Sequence, residues 1–596
     1  MPYNPANPLI VQGDKTVLVE VASDRYEEAR DQLARFAELE KSPEHIHTYR
    51  ISPLSLWNAA AAGLDAGRIV DVLERYGKYD VPANIVADVR DYVARYGRLK
   101  LEKRNGNLVL ASKDRPLITE VWHHKRIRPF LLQKLDEYTL LVDPAQRGRV
   151  KQSLVEFGFP AEDLAGYVEG ASLSLRLLAL TREGLPFNLR RYQQEAVDIF
   201  YAGGSARGGS GVVVLPCGAG KTMVGLGALD KLQAATLILT TSTVAVRQWI
   251  DELLDKTTLT PDEIGEYSGA KKEIKPVTVT TYQILTWRPR RVNKETGEVG
   301  RFPHFALFDE RDWGLIIYDE VHLLPAPVFR ITADIQARRR LGLTATLIRE
   351  DGRETDVFSL IGPKKYDVPW KDLEKQGWIA TAECHEIRLG MNEERRLQYA
   401  IAERREKYRI AAENPAKLDV ILQLVKKHAG DNVLVIGQYI RQLEIVAEVL
   451  DAPLITGKTK VVERQKLFDA FRNGEEPLLV VSKVANFAID LPDANVAIQI
   501  SGTYGSRQEE AQRLGRILRP KKNGLLANFY SLVTRDTRDQ DFAAKRQLFL
   551  TEQGYRYTIM DASEVPSYQP VTLELAATAC EPRPAGYLGP GGDRGA

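Results

Sequence analysis

One stretch of the chain, GVVVLPCGAGKTMVGLGALD from Gly211 to Asp230, leaves few architectures open. Its first five residues are apolar and mostly β-branched, as in a strand buried on both faces of a parallel sheet. From Thr222 to Leu229 the pattern becomes that of the first turns of a helix. Between them, Gly218 and Gly220 on either side of Ala219 let the backbone turn sharply and aim its N–H groups inward. The helix start adds unpaired donors and a positive dipole end, which favour anionic phosphate. Lys221 is placed to reach the β- and γ-phosphates of ATP, and the Thr222 hydroxyl to ligate magnesium. A strict Walker loop has glycine where Leu215 stands, so the loop alone does not fix the class. The alternative is a glycine turn carrying a surface lysine, and GxGKT directly after an apolar strand weighs against it.

The same rhythm repeats along the chain. From about residue 186, strand-like GVVVL, ATLILT, VTVTT, LIIYDE and RRLGLTAT alternate with longer amphipathic or loop segments. A second series begins near Ala416 with NVLVIG, APLIT, LLVVS, VAIQIS and LLANFYSLV. Both are the pattern of a doubly wound parallel sheet, so the fold class is α/β with two such domains in tandem, at 186–365 and 416–560. Between them, residues 366–415 read as a linker and a charged helical arm, MNEERRLQYAIAERREKYRIAAEN, without a clear apolar face.

Two smaller α/β units precede the tandem. Residues 1–105 show a hairpin (LIVQGDKTVLVEV), three helical stretches and two alternating strands (RLKLEK and NLVLAS), a pattern expected of a winged-helix-like module. Residues 106–182 carry strand-like LITEVW and YTLLV and the helical GRVKQSLVEFGF. The adjacent His123 and His124 have no further ligand at metal spacing and are assigned no metal. The Pro- and Gly-rich end, 561–596, is expected to be a disordered tail.

Composition narrows the partners. With 82 Lys and Arg against 80 Asp and Glu, the net charge of +2 means that any nucleic-acid track is local. The three cysteines are widely spaced with no CxxC pair, which argues against zinc and a disulfide framework and fits a reducing cytoplasm. No apolar run approaches the roughly 18 residues of a membrane span, and MPYNPANPLI lacks signal-peptide features. A cytoplasmic chain with no membrane role is expected.

A second constellation completes the first. LIIYDEVH, from Leu315 to His322, is an apolar strand ending in carboxylates. Asp319 can hold magnesium through water, facing Thr222, and Glu320 is placed to polarise the attacking water. A lone Asp-Glu at a strand end reads as a solvated turn; paired with GKT in one sheet, it reads as catalytic.

LPCGAGKT, DEVH, LTATLIRED and QRLGRILRP occur in this order between Leu215 and Pro520. They resemble motifs I, II, III and VI of superfamily 2 helicases and, more narrowly, those of the xeroderma pigmentosum type B (XPB) DNA helicase family. The resemblance implies two RecA-like motor domains, a thumb in the charged arm, an accessory amino-terminal domain before residue 106 and a damage-recognition-like domain at 106–182. It implies that Gln193 of LRRYQQEA lies near the adenine with Arg190 beside it. Arg349, Glu350 and Asp351 form the element that the family uses in opening the duplex. The resemblance also implies a coupling role for His322, with Thr344 and Thr346 linking domain closure to the strand. Gln512, Arg516 and Arg519, spaced four and three apart on one helix face, would reach the γ-phosphate across the cleft. Such an arginine finger is worth about 10³–10⁵ in rate. Arg513 shares that helix; spacing alone does not exclude it, but the family pattern does not ask for it.

The DNA track is expected at strand ends: Thr241, Ser242 and Arg247; Thr281 and Tyr282; Ser482, Lys483 and Asp490. The last set departs from the family pattern, with SKVANF in place of a VGDE-like run. The expected activity is an ATP- and magnesium-dependent 3′–5′ DNA helicase, nucleoid-associated, acting on duplexes with single-stranded tails, forks or bubbles. Family members work in repair and transcription, some with a structure-specific nuclease. The rival readings are a duplex translocase that does not unwind, an RNA helicase, and a non-catalytic DNA-binding scaffold, which the intact ATP residues oppose.

Overall fold

The computed structural model describes residues 3–42, 45–216, 218–287, 302–336, 338–345, 347, 353–368, 373–374, 376, 378, 382–482, 494–502, 527–552, 555 and 557–565. Four sheets organise them. The first is antiparallel, with β1 (Leu9–Val11), β2 (Thr16–Glu20), β3 (Glu38–Lys41) and β4 (Ile46–Arg50) in the order β1-β2-β4-β3. Four helices accompany it: α1 (Tyr26–Leu33), α2 (Pro53–Ala61), α3 (Ala66–Tyr76) and α4 (Ala83–Arg95). Asp65 caps α3 by accepting from Arg68 N–H, and Ser52 and Ser55 form a reciprocal capping box on α2.

The expected wing belongs elsewhere. β5 (Lys100–Arg104) and β6 (Asn107–Ala111) do form a hairpin, but β6 pairs onward with β8 (Thr139–Val142) and β5 with β9 (Glu162–Asp163). With β7 (Leu131–Lys134) they make the five-stranded sheet of the second unit, so the first unit is a four-stranded sheet with helices rather than a winged helix. LITEVW is also helical rather than extended, within α5 (Arg115–His123). Asp114 caps it, Pro116 sits in its first turn, and the buried Leu117, Ile118 and Val121 keep helical spacing. α6 (Arg147–Phe157) follows as expected.

The first motor sheet is parallel throughout, in the order β12-β13-β11-β14-β15-β10-β16. Its strands are β10 (Ser210–Val214), β11 (Thr236–Thr240), β12 (Ile264–Tyr267), β13 (Val277–Thr281), β14 (Leu315–Asp319), β15 (Arg339–Thr344) and β16 (Lys364–Asp367). The helices that position its site are α7 (Arg191–Tyr201), α8 (Lys221–Leu232), α9 (Thr243–Lys256) and the short α10 (Tyr282–Leu285). Leu173 and Leu175, assigned by sequence to the second unit, are buried in this motor core, because their apolar alternation continues along the domain edge at bridges Ser172–Ala234 and Leu177–Thr257.

The second motor sheet is also parallel: β17 (Ala382–Leu389), β18 (Val433–Gly437), β19 (Leu454–Ile455), β20 (Leu478–Ser482), β21 (Val496–Gln499), β22 (Ala527–Thr534) and β23 (Tyr557–Asp561), in the order β19-β20-β18-β21-β22-β17-β23. β17 lies inside the stretch expected to be linker and arm. Its buried Ala382, Cys384, Ile387 and Leu389 fill the sheet between β22 and β23. The arm itself is two helices. Glu393–Ile401 buries nothing, but Arg404–Ala412 turns Tyr408, Ala411 and Ala412 inward, a stripe that fixes it to this domain. β23 ends at Asp561, the first residue of the expected tail.

The amino-terminal unit touches both motor domains. Asn58 Oδ1 accepts from Lys364 N–H at 2.9 Å, and Trp57 packs with Val155 and Phe358. On the other side Leu548, in the helix Arg538–Glu552 of the second motor domain, joins the unit's own core. The second unit is welded to the first motor domain by a buried charge cluster. Asp163 receives Arg147 at 2.6 and 3.1 Å and Lys151 at 3.1 Å, and Lys151 also donates to Gln336 Oε1 at 3.0 Å.

Candidate functional site

All the ATP-site residues described lie at the carboxyl edge of the first parallel sheet, where such folds bind ligands. Val214 and Thr344 are register partners at the ends of β10 and β15, and Leu215 N–H donates to Thr344 C=O at 2.9 Å. The chain then turns through Gly218 (φ 80°) and Gly220 (φ 78°), both left-handed, and enters α8 at Lys221. A side chain at Gly220 would strike Gln193 Nε2 at 2.5 Å, so the loop's path there requires glycine. Leu215 is wholly buried, and its φ is not among the positive ones, so this point of the loop does not require glycine.

The loop is braced from α7. Gln193 Nε2 and Tyr192 OH both donate to Ala219 C=O, at 2.8 and 2.7 Å. Gln193 Oε1 accepts from Arg190 N–H at 2.9 Å. Gln193, expected near the adenine, holds the loop and the helix start with its amide. Arg190 stands next to Gln193, with its guanidinium over the Trp378 ring, 4.4 Å from the centroid. Tyr192 was not foreseen, and the sequence signal for it was its place inside RRYQQ.

The acidic strand end faces this loop. Lys221 Nζ lies 2.9 Å from Glu320 Oε1, and Glu320 takes a left-handed φ of 51° that turns it toward the loop. Glu320 Oε2 is buried without a hydrogen-bond partner among the described residues, 3.5 Å from His322 Nδ1. His322 Nδ1 and Thr344 Oγ1 are 2.6 Å apart, both buried, so DEVH and LTAT are joined side chain to side chain. Asp319 Oδ2 accepts from Trp249 Nε1–H at 2.9 Å, and its carbonyl from Tyr282 OH at 2.8 Å.

Burial and the neighbouring Glu320 charge raise the Asp319 carboxyl above its ordinary range, against the Trp249 N–H and Lys221. Burial pushes Glu320 the same way, but the Lys221 ammonium and His322 overcome it and hold Glu320 below the usual carboxylate range. The loop, with Lys221 and Thr222 opening α8 and a buried acceptor oxygen opposite, fits ATP and a magnesium ion.

Of the expected DNA track, Arg247 is exposed, Thr241 and Ser242 are half-buried, and Ser242 caps α9 by accepting from Ala245 N–H at 3.2 Å. Thr281 caps α10, and Tyr282 is buried with its hydroxyl on Asp319 C=O, so both face inward rather than toward a strand of DNA. Ser482 is buried at the end of β20. Thr346, Arg349, Glu350, Asp351, Lys483, Asp490, Gln512, Arg513, Arg516 and Arg519 lie outside the described residues.

Fold and site together define an ATP-using motor of the superfamily 2 helicase class. Residues 373–578 match the ERCC3/RAD25/XPB C-terminal helicase family, 186–349 the family of type III restriction enzyme res subunits, and 9–136 a helicase conserved C-terminal domain family. The chain is 58% identical over 559 residues to the DNA 3′-5′ helicase XPB of Kineococcus radiotolerans, covering 94% of this chain and 97% of that one. It is 57% identical to the protein of that name from Mycobacterium tuberculosis, covering 94% and 98%. It is 33% identical over 570 residues to the general transcription and DNA repair factor IIH helicase/translocase subunit XPB of Enterocytozoon bieneusi, covering 92% of each. The chain belongs to the XPB family of superfamily 2 helicases. Among the described residues no helix is long and apolar enough to cross a membrane.

Proposed function

We propose that the chain is an ATP-dependent 3′–5′ DNA helicase, translocating on and separating duplexes with single-stranded tails, forks or bubbles in repair of the excision type or transcription-linked work. The observation that carries the reading is the buried line Lys221–Glu320–His322–Thr344, which joins the phosphate loop to the strand end leading toward the duplex-opening element. Polarity and substrate rest on the relatives named above.

Bound ATP and magnesium supply the scissile phosphoanhydride and charge neutralisation along it. Lys221 would exchange its contact with Glu320 for the phosphates, and Thr222 and Asp319 would hold the metal. Glu320, so released, orients a water and accepts its proton through Oε2. His322 senses that change and passes it to Thr344. Arg516 and Arg519, with Gln512, complete the site from the second motor domain, so turnover follows domain closure. Repair or transcription proteins, including a structure-specific nuclease, are the partners this reading expects, in the nucleoid.

The test is unwinding of a duplex with a 3′ single-stranded tail, with ATP and magnesium, beside the same duplex with a 5′ tail. Opening of the 3′-tailed substrate alone supports the proposal. DNA-stimulated hydrolysis with neither opened replaces it with a duplex translocase.

A further inference from the structure

Two separate stretches of the expected DNA track end on one residue of the ATP site. α9 starts at the loop of Thr241 and Ser242. Seven residues on, about 10 Å along the helix axis, its indole Trp249 donates to Asp319 Oδ2 at 2.9 Å. α10 starts at Thr281, and Tyr282 OH donates to the carbonyl of the same Asp319 at 2.8 Å. The two loops are also tied to each other, since Gln283 Nε2 donates to Thr241 C=O at 2.7 Å.

The indole has little room to move without moving its surroundings. Trp249 is 2% exposed, between Val246 and Leu253 on the inward face of α9. Its six-membered ring lies against Gly225 of α8, where an added Cβ would meet Cη2 at 2.5 Å. A shift of α9 therefore moves the hydrogen bond on Asp319 and presses on the helix that begins at Lys221.

We infer that Trp249 is the positioning residue through which DNA held at the Thr241–Ser242 loop is felt at the nucleotide, by orienting the Asp319 carboxylate. The inference rests on the motor reading above. Tyr282 steadies the main chain of Asp319, so that a displacement of α9 turns the side chain rather than carrying the whole strand end with it.

Linkage supplies a test that needs no turnover: if DNA alters nucleotide binding, the nucleotide alters DNA binding by the same factor. The affinity of the full chain for a fluorescein-labelled single strand is measured by anisotropy, with and without a non-hydrolysable ATP analogue. Coupling of this kind is of the order of 5–150-fold. Trp249→Phe keeps an aromatic side chain and deletes the pyrrole ring with its N–H. It should bring the factor to below about threefold, while the analogue still binds the DNA-free chain and unfolding stays cooperative. Gly225→Ala leaves the indole chemically intact but displaces it, and gives the same loss. In steady state both variants lose DNA-stimulated kcat, and their KM for ATP no longer responds to DNA. Full coupling in either cooperatively folded variant overturns the inference. A wild-type chain without coupling overturns the motor reading instead.

Discussion

Replacing Glu320 by Gln keeps the shape of the side chain and removes its charge, and the geometry predicts two effects of opposite sign. Before nucleotide arrives, Lys221 Nζ is held 2.9 Å from Glu320 Oε1, the side chains being 12% and 18% exposed. That contact competes with the phosphates for the lysine. A charge-assisted hydrogen bond contributes about 1.5–3 kcal/mol and a neutral one about 0.5–1.5, so the glutamine would release Lys221 at a cost lower by about 1 kcal/mol. Nucleotide should then bind as tightly as to wild type or up to about tenfold tighter. Hydrolysis goes the other way. With no carboxylate at the buried Oε2 position, proton abstraction from water is lost, a penalty of about 10²–10⁴ in kcat. The assay pairs a titration with a fluorescent ATP analogue and single-turnover hydrolysis of ATP. Weaker nucleotide binding with near-normal hydrolysis would refute both the competition and the base.

Four further outcomes are expected. Lys221→Ala should abolish ATP turnover in a colorimetric phosphate assay; normal turnover would dismiss the site. Asp163→Asn strands Arg147 and Lys151 in a buried cluster and should destabilise the first unfolding transition by about 3–5 kcal/mol, read by denaturant titration. Burial raises Asp163, but Arg147 and Lys151 outweigh it and depress its carboxyl. Its contribution is therefore present above the ordinary aspartate value of about 3.9 and lost as pH falls through the depressed one, an acid limb that the Asn variant should lack. Thr344→Val removes the hydroxyl 2.6 Å from His322 and should lower unwinding about tenfold more than ATPase, the worth of one buried hydrogen bond; equal losses count against a coupling role. Arg349→Ala should retain DNA-stimulated ATPase and unwind poorly, which parallel loss of both would contradict.

Much of the motor was legible because its signals are local. A β-branched run, two glycines and a lysine specify a strand, a turn and a helix start within one short segment, and β10, the loop and α8 follow that order. The carboxylates of LIIYDEVH could be placed opposite because parallel strands bring their carboxyl ends to one edge. What escaped depends on contacts between distant residues. RLKLEK and NLVLAS alternate as edge strands do, and only the partners β8 and β9 decide which sheet owns them. β17 was missed because Glu386 interrupts its apolar alternation; that carboxylate is buried on Gln547 and Arg388. Trp249 reads from sequence as one more apolar residue on a helical stripe, and its N–H acquires meaning only when β14 delivers Asp319 to it.

The contacts of the amino-terminal unit have a mechanical consequence. The chain is linear, yet its rigid bodies close into a ring: first unit, second unit, first motor domain, second motor domain and, through Leu548, the first unit again. Bodies joined in a ring have fewer independent rotations than bodies on a string, so the cleft cannot change angle without slippage or release at one link. At the link through the helix Arg538–Glu552, Leu548 is buried in the first unit's core, a burial worth about 1.5–3 kcal/mol. Differential nucleotide affinity of about 100-fold would match it. The ring therefore acts as a detent, holding one cleft angle until binding energy exceeds the strength of that contact.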